Sequence, residues 1–146
     1  MTQRTVYQSM PRRLLVSLPP SASVHEAACV MTRANCGSVL VVGAGTQLLG
    51  IVTERDLMTR VLAKAVDPSK TTLAGVMTPN PRCIGPNTKV EDAVLIMLER
   101  GFRHLPVVGE GNTLLGVFSA RDALPREIGA AVSLAEFNEQ VNDSLG

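Results

Sequence analysis

The stretch Gly50–Asp56 reads Gly-Ile-Val-Thr-Glu-Arg-Asp, and the stretch Gly116–Asp122 reads Gly-Val-Phe-Ser-Ala-Arg-Asp. The two stretches lie 66 residues apart. With this shift the alignment extends outward, so that Val24–Leu57 aligns with Val90–Ala123 without a gap, and 12 of the 34 columns are identical. Ordinary composition would give roughly two or three identities by chance. The chain is therefore an internal duplication, and the sequence predicts two copies of one structural unit.

The apolar spacing within each copy predicts the order β-α-β-β-α. Ser23–Ala34 and Thr88–Arg100 carry apolar residues at helical spacing. Two short apolar runs around a glycine-containing turn then predict a hairpin in each copy. The other predicted elements are the hairpin strands Val39–Val42, Leu48–Val52, Leu105–Val108 and Leu114–Phe118, the closing helices Glu54–Ala65 and Ala120–Ile128, and extended pieces near Leu14–Leu18 and Arg82–Ile84. The expected fold class is α+β.

These elements place repeat 1 at residues 8–66, repeat 2 at residues 67–130 and a C-terminal helical tail at residues 131–146. In the tail, Ser133–Glu136 has the form of a capping box, which predicts a helix that starts at Ser133. One stripe of that helix is apolar, and we expect it to pack on the body or on a partner: Leu134, Phe137, Val141 and Leu145.

Composition excludes several classes of function. The 146 residues are 45% hydrophobic with a net charge of +1, so no basic surface for nucleic acid or lipid is expected. No apolar run is long enough to cross a bilayer. The three cysteines are odd in number and lack Cys-x-x-Cys spacing, which is typical of reduced cysteines and not of disulfides or a zinc site. We expect a cytoplasmic protein with no bound metal, with an N-terminal transit segment as the alternative location.

A glycine-rich dinucleotide loop is also excluded. Gly43-Ala44-Gly45 follows a predicted strand, but a second strand comes next, where a dinucleotide fingerprint needs a helix N-terminus for the pyrophosphate. Tight turns that need positive φ explain these glycines.

The strand-to-helix junctions at Thr53 and Ser119 have two interpretations. In the first, the hydroxyl caps the helix and the Asp three residues later reaches back to complete a capping box. In the second, the amides and positive dipole at the helix start favour a phosphate. The Asp then accepts hydrogen bonds from a ribose diol, and the neighbouring Arg55 or Arg121 pairs with phosphate oxygens. One set of residues can serve both roles.

A repeated β-α-β-β-α unit whose junction reads Gly-apolar-apolar-(Thr/Ser)-x-x-Asp resembles the CBS domain family. The stretch Leu73–Pro79, which leads into the second copy, is similar to that family as well. The resemblance covers about residues 10–128. It implies two repeats packed through their sheets about a pseudo-two-fold axis, with two clefts between them. The implied ligand is an adenosyl compound: AMP, ADP or ATP, or else S-adenosylmethionine or NAD(H).

The resemblance also implies which residues line each cleft. One cleft would use Thr53, Arg55 and Asp56, with base contacts from Pro81–Ile84: Arg82, Cys83 and Ile84. The other would use Ser119, Arg121 and Asp122, with contacts from around Leu14–Val16, including Leu14 and Leu15.

The two clefts are not expected to be equal. Arg103 and His104 in the second copy are similar to the family's phosphate-contacting stretch, where the first copy has Gly37 and Ser38. Arg103 could instead be a solvated cation, and His104 a structural histidine. We expect the cleft at Asp122 to be the better nucleotide site.

Three functions compete at this point. The leading one is a non-catalytic regulatory module that signals to a separate effector protein, and the second is a structural interaction protein with vestigial clefts. An enzyme is rejected because the sequence has no nucleophile–base pair, metal-ligand cluster or Walker loop. A homodimer is expected because the helix Thr88–Arg100 carries apolar residues beyond its core stripe: Leu95, Ile96 and Leu98.

Overall fold

The computed structural model describes residues 3–10 and 15–145 of the chain. These residues form two compact units. The first unit contains residues 15–82, and the second unit contains residues 3–10 together with residues 83–145. The N-terminal residues 3–10 thus belong to the unit built on the second repeat.

Helices and strands alternate through both units, in agreement with the α+β prediction. Along the chain the elements are α1 Val6–Ser9, β1 Ser17–Leu18, α2 Val24–Ala34, β2 Ser38–Val42, β3 Leu48–Thr53, α3 Glu54–Asp56 continued by a π-helical turn Leu57–Leu62, α4 Leu73–Val76, β4 Thr78–Pro79, α5 Val90–Arg100, β5 His104–Val108, β6 Leu114–Ser119, a 3₁₀ turn Ala120–Asp122 and α6 Pro125–Leu145.

The predicted hairpins are confirmed in both units. β2 and β3 pair antiparallel, as do β5 and β6. The predicted extended pieces also pair at equivalent places, since Leu18 lies parallel to Val41 on β2 and Ile84 bridges in parallel to Val107 on β5. The turns of the hairpins hold Gly45 at φ 67° and Gly111 at φ 65°, the positive values that favour glycine.

The turn and helix predicted at Leu73–Pro79 are confirmed by α4, whereas the equivalent helix α1 was missed in the sequence. These two helices explain the first glycine of the repeated motif. In the first unit, the N–H of Leu73 at the start of α4 donates to Ala22 O at 2.9 Å; in the second unit, the N–H of Val6 at the start of α1 donates to Thr88 O at 2.8 Å. The methionine after each helix then packs on the motif glycine. A Cβ at Gly50 would lie 2.6 Å from Met77 Sδ, and a Cβ at Gly116 would lie 2.6 Å from Met10 Cε.

Each unit has its own core, which is mostly aliphatic, as the low aromatic content predicts, with Phe118 buried in the second unit. Burial of each such side chain contributes roughly 1.5 to 3 kcal/mol to the free energy of folding. The strands that lead into the two junctions are therefore held firmly in these cores. Fully buried residues of the first unit include Val39, Val41, Val52 and Leu73. Those of the second unit include Val6, Leu105, Val107 and Phe118.

The helix predicted at Ala120–Ile128 is wrong. A 3₁₀ turn ends at Asp122, Ala123 is extended at φ −84° and ψ 144°, and α6 begins at Pro125. Proline lacks an N–H and disfavours helical geometry in the residue before it, which breaks the helix here. The same proline suits the first position of a new helix.

The helix start predicted at Ser133 is also wrong. Ser133 lies inside α6, which runs unbroken from Pro125 to Leu145. Residues 126–132 include alanines and long side chains that helices accept, so nothing stops the helix before Ser133. Smaller differences occur at two other ends: α5 begins at Val90 instead of Thr88, and the helical segment from Glu54 ends at Leu62 instead of Ala65.

Within residues 3–10 and 15–145, no helix has both the length and the apolarity that crossing a membrane requires.

Candidate functional site

The first junction is a complete capping box that holds a buried carboxylate. Thr53 is extended, and its Oγ1 accepts from Asp56 N at 3.3 Å. Asp56 Oδ2 in turn accepts from Thr53 N at 2.9 Å and from Thr53 Oγ1 at 3.1 Å. Only 8% of Asp56 is exposed, and its Oδ1 lies 3.7 Å from Arg60 Nε. This confirms the predicted cap and fixes Asp56 against its own helix.

The second junction repeats this arrangement with a more open carboxylate. Asp122 Oδ2 accepts from Ser119 N at 3.0 Å, and Asp122 is half-buried. Ser119 Oγ accepts from Arg121 N at 3.3 Å, one residue earlier than in the first junction. The tighter 3₁₀ geometry brings that amide within reach of the hydroxyl.

Two positions at which the copies differ lie directly beside the junctions. In the hairpin registers, Ser38 stands opposite Thr53, and His104 stands opposite Ser119. Glu54 N donates to Gly37 O at 3.0 Å, and Ala120 N donates to Arg103 O at 3.1 Å. Arg103 and His104 therefore occupy the same places beside Ser119 that Gly37 and Ser38 occupy beside Thr53.

Basic side chains near both junctions reach solvent. Arg55, Arg103 and Arg121 are exposed, and His104 is half-buried. Guanidinium groups in such positions can donate to phosphate oxygens. The second junction has Arg103 in addition to the arginine that both junctions carry.

The predicted base-contacting residues have different surroundings. Arg82 is exposed, Cys83 is half-buried, and Ile84 is 7% exposed with its side chain in the core of the second unit. The backbone of Ile84 is used within the same unit, because its N–H donates to Pro106 O and its carbonyl accepts from Val108 N. Leu15 is 41% exposed, and Leu14 lies outside the described residues.

An ion pair missed in the sequence holds the chain just after Asp122. Arg4 Nη2 donates to Glu127 Oε1 at 2.7 Å, and Arg4 Nε donates to Glu127 Oε2 at 3.1 Å. Arg4 Nη2 also donates to the carbonyl of Asp122 at 3.0 Å, and Glu127 Oε1 accepts from Leu124 N at 2.7 Å. The two side chains are 123 positions apart, so local spacing gives no signal for the pair.

These contacts shift the titration of both partners. The hydrogen bond from Arg4 holds the pKa of Glu127 below its ordinary value, although burial opposes the shift. The same hydrogen bond raises the pKa of Arg4. The turn after Asp122 is thus held by groups that are charged at neutral pH.

Among the described residues, no three His, Cys, Asp or Glu side chains form a group that could hold a metal ion. None of the three cysteines forms a disulfide.

Comparison with known proteins gives two matched domains and a shared fold. The model of the CBS domain family matches residues 8–63 and 73–127. The Meiotically up-regulated gene 70 protein of Schizosaccharomyces pombe is 40% identical over 102 residues, which cover 66% of this chain and 14% of that protein. The chain therefore spans a small part of that relative's length.

Solved structures agree with this assignment. A CBS domain protein from Pyrobaculum aerophilum complexed with AMP superposes with a TM-score of 0.78 at 24% identity, covering 90% of this chain and 100% of that one. A hexameric CBS-CP12 protein from bloom-forming cyanobacteria has a TM-score of 0.76 at 27% identity, with 84% and 67% covered. With both repeats matched by the family model, the chain belongs to the CBS domain family, as a tandem pair of CBS domains.

Proposed function

We propose that this chain is a non-catalytic regulatory module that binds an adenosyl ligand at its two junctions and signals to a separate effector protein. The observation that carries the proposal is the repeated geometry of Thr53–Asp56 and Ser119–Asp122. At each junction the Oδ2 of the Asp accepts from the backbone N–H three residues earlier, that of Thr53 at 2.9 Å and that of Ser119 at 3.0 Å. A carboxylate oriented in this way can accept two hydrogen bonds from a ribose diol.

AMP, ADP and ATP are the proposed ligands, with S-adenosylmethionine and NAD(H) as alternatives. The AMP complex of the Pyrobaculum aerophilum protein supports an adenosyl ligand through the shared fold. In this proposal Arg82, Cys83, Ile84, Leu14 and Leu15 remain predicted contacts of the base. A cytoplasmic location belongs to the same proposal.

The second junction is proposed as the better nucleotide site. Asp56 is buried, is held by two groups of Thr53 and faces Arg60, whereas Asp122 is half-buried. Arg103 and His104 add basic character beside Ser119 that Gly37 and Ser38 do not supply. Because the second junction opens only a three-residue 3₁₀ turn, phosphate binding there depends on side chains more than on a helix dipole.

Self-association is a further part of the proposal, and in the structure it is supported mainly by α6 instead of α5. Leu95 and Ile96 of α5 are half-buried and pack against the core of the second unit, so they give no argument for a partner chain, whereas Leu98 of the same helix is 48% exposed. The stripe on α6 also supports a partner, because its apolar side chains are exposed: Leu134 by 42%, Phe137 by 59%, Val141 by 37% and Leu145 by 81%. The hexameric CBS-CP12 relative supports assembly.

The exposed α6 stripe also favours the second candidate function, an interaction protein whose junctions bind nothing. The two functions differ in one measurable respect. A ligand that binds only the folded chain adds RT ln(1 + [L]/Kd) to the free energy of unfolding, and the melting temperature rises as a result.

The test is a thermal-shift screen of the nucleotide-stripped chain. AMP, ADP, ATP, GTP, NAD, NADH and S-adenosylmethionine are each added at millimolar concentration, with and without magnesium. We expect adenosyl compounds to raise the melting temperature and GTP to do so less. No shift from any adenosyl compound would refute ligand binding and favour the interaction protein, and light scattering at micromolar concentration would then test the α6 stripe.

A further inference from the structure

The chain leaves the second junction through a turn that secondary structure does not support. After the 3₁₀ turn Ala120–Asp122, Ala123 is extended and Leu124 precedes Pro125. In an unbroken helix, each of these residues would be fixed by hydrogen bonds to the preceding turn. Here the N–H of Ala123 still donates to Ala120 O at 3.3 Å, but the proline ends the helix, and side chains bond the carbonyl of Asp122 and the N–H of Leu124 instead.

Arg4 and Glu127 supply that support at both ends of the turn. The guanidinium of Arg4 donates to the carbonyl of Asp122 at 3.0 Å, and the carboxylate of Glu127 accepts from the N–H of Leu124 at 2.7 Å. The two side chains are joined by two hydrogen bonds of 2.7 Å and 3.1 Å, a bidentate pair. The side chain of Glu127 is 9% exposed and that of Arg4 is 28% exposed, so water weakens the pair only in part.

Arg4 reaches this turn only because the N-terminal segment is docked. Val90 N donates to Arg4 O at 3.0 Å, Val6 N donates to Thr88 O at 2.8 Å, and Tyr7 N donates to Pro86 O at 3.1 Å. The side chain of Val6 is completely buried in the second unit. The segment therefore fixes the position of the guanidinium through its backbone.

The first junction is supported in a different way. Thr71 takes the backbone position of Arg4, because Val24 N donates to Thr71 O at 2.9 Å. The helix that contains Asp56 continues to Leu62, and Arg60 of that helix donates to the carbonyls of Val76 and Met77 at 2.9 Å and 3.1 Å. Asp56 is therefore supported by the continuation of its own helix and by Arg60, which links that helix to the carbonyls of Val76 and Met77.

We infer that Arg4 is a positioning residue for the second junction, so that ligand binding at Asp122 depends on the docked N-terminal segment while binding at Asp56 does not. The inference rests on the proposed function. Residues 3–10 thereby gain a regulatory role, because any event that undocks this segment weakens binding at Asp122 and leaves binding at Asp56 unchanged. Arg4 acts through the turn and does not itself bind the ligand.

The test measures AMP affinity by calorimetry with one junction disabled at a time. In the Asp56→Ala background, we expect Arg4→Met to weaken AMP binding by about tenfold. In the Asp122→Ala background, Arg4→Met should leave the AMP affinity within about twofold. Arg4→Lys keeps the charge but cannot bridge Glu127 and the Asp122 carbonyl in the same way, so it should restore only part of the loss. Arg126→Met is the matched control, because Arg126 neighbours Glu127 but is exposed.

A second readout follows the turn without ligand. Hydrogen exchange of the Leu124 amide, which donates to Glu127, should be faster in Arg4→Met than in the wild-type chain and unchanged in Arg126→Met. Thermal melts establish that each variant is folded at the temperature of the titration. AMP binding by the wild-type chain with no loss in Arg4→Met would overturn the positioning role alone. Equal losses at both junctions would overturn it as well, and absence of AMP binding in the wild-type chain would overturn the proposed ligand together with it.

Discussion

The two junctions begin alike and end differently. Thr53 and Ser119 both start a motif whose Asp reaches back to the first backbone N–H, at 2.9 Å and 3.0 Å. From Asp56 the helix continues to Leu62, whereas the chain after Asp122 breaks and is held by Arg4 and Glu127. Duplication thus preserved the hydrogen bond between the Asp and the backbone N–H of Thr53 or Ser119, while the backbone support after the Asp diverged.

This difference separates two properties of a binding site. The carboxylate orientation is a local property, fixed within four residues by a capping box. The stability of the backbone that carries it is a tertiary property, which depends on a helix in one unit and on a distant arginine in the other. The two sites are therefore expected to respond differently to the same change elsewhere in the chain.

Exchanging the residues beside the junctions should have the largest effect on this comparison. Arg103→Gly with His104→Ser gives the second junction the residues of the first. We expect AMP affinity at Asp122 to fall by about tenfold or more, because a charge-assisted hydrogen bond to phosphate contributes roughly 1.5 to 3 kcal/mol. Calorimetry in the Asp56→Ala background measures the change, and raised salt should reduce the difference. An unchanged affinity would show that Arg103 and His104 are a solvated cation and a structural histidine.

The ion pair behind the second junction should make stability depend on acid. Because the pKa of Glu127 is lowered in the folded chain, its stabilising effect is complete above the ordinary glutamate pKa of 4.5 and is lost as pH falls through the folded value. Arg4→Met removes the main cause of the pKa shift. We expect it to lower the free energy of unfolding by about 1.5 to 3 kcal/mol at neutral pH, and by less in acid. Urea unfolding at several pH values measures both. A loss that stays constant from neutral pH to below the folded pKa would contradict the ion pair.

Substitutions in the two hairpin turns should have equal effects on stability, because the two turns have the same backbone geometry. Gly45 and Gly111 have φ of 67° and 65°, and a Cβ at either position would meet nothing within 4 Å. Alanine at either position should therefore cost about 1 kcal/mol, through backbone strain alone. Urea unfolding of Gly45→Ala and Gly111→Ala measures the two costs. A difference much larger than about 0.5 kcal/mol would show that the turns are not equivalent.

Much of the fold and of the two junctions could be predicted from the sequence, because the same residue pattern occurs twice in it. The residue patterns of both copies predicted the hairpins and the capping residues, and the family resemblance pointed to Arg103 and His104. Each of these features depends on residues close together in the chain. The break after Asp122 could also have been predicted, since Pro125 is incompatible with the interior of a helix.

Other features depend on contacts between distant residues and gave no such signal. The helix Val6–Ser9 is only four residues long, so its apolar pattern is too short to be recognised. Its docking on the second unit, and the pairing of Arg4 with Glu127, follow from the folded arrangement alone. The capping-box form at Ser133 misled because a sequence motif does not reveal whether a helix is already under way.

The central claim is that the chain binds an adenosyl ligand at two unequal junctions, and AMP titration of Asp56→Ala and Asp122→Ala tests it most directly. Both variants are stripped of nucleotide, confirmed as folded and titrated by calorimetry beside the wild-type chain. The account predicts that Asp122→Ala loses the tighter site, with an affinity drop of about tenfold or more, and that Asp56→Ala retains that site. Equal losses in the two variants would contradict the inequality, and an absence of binding in the wild-type chain would contradict the claim itself.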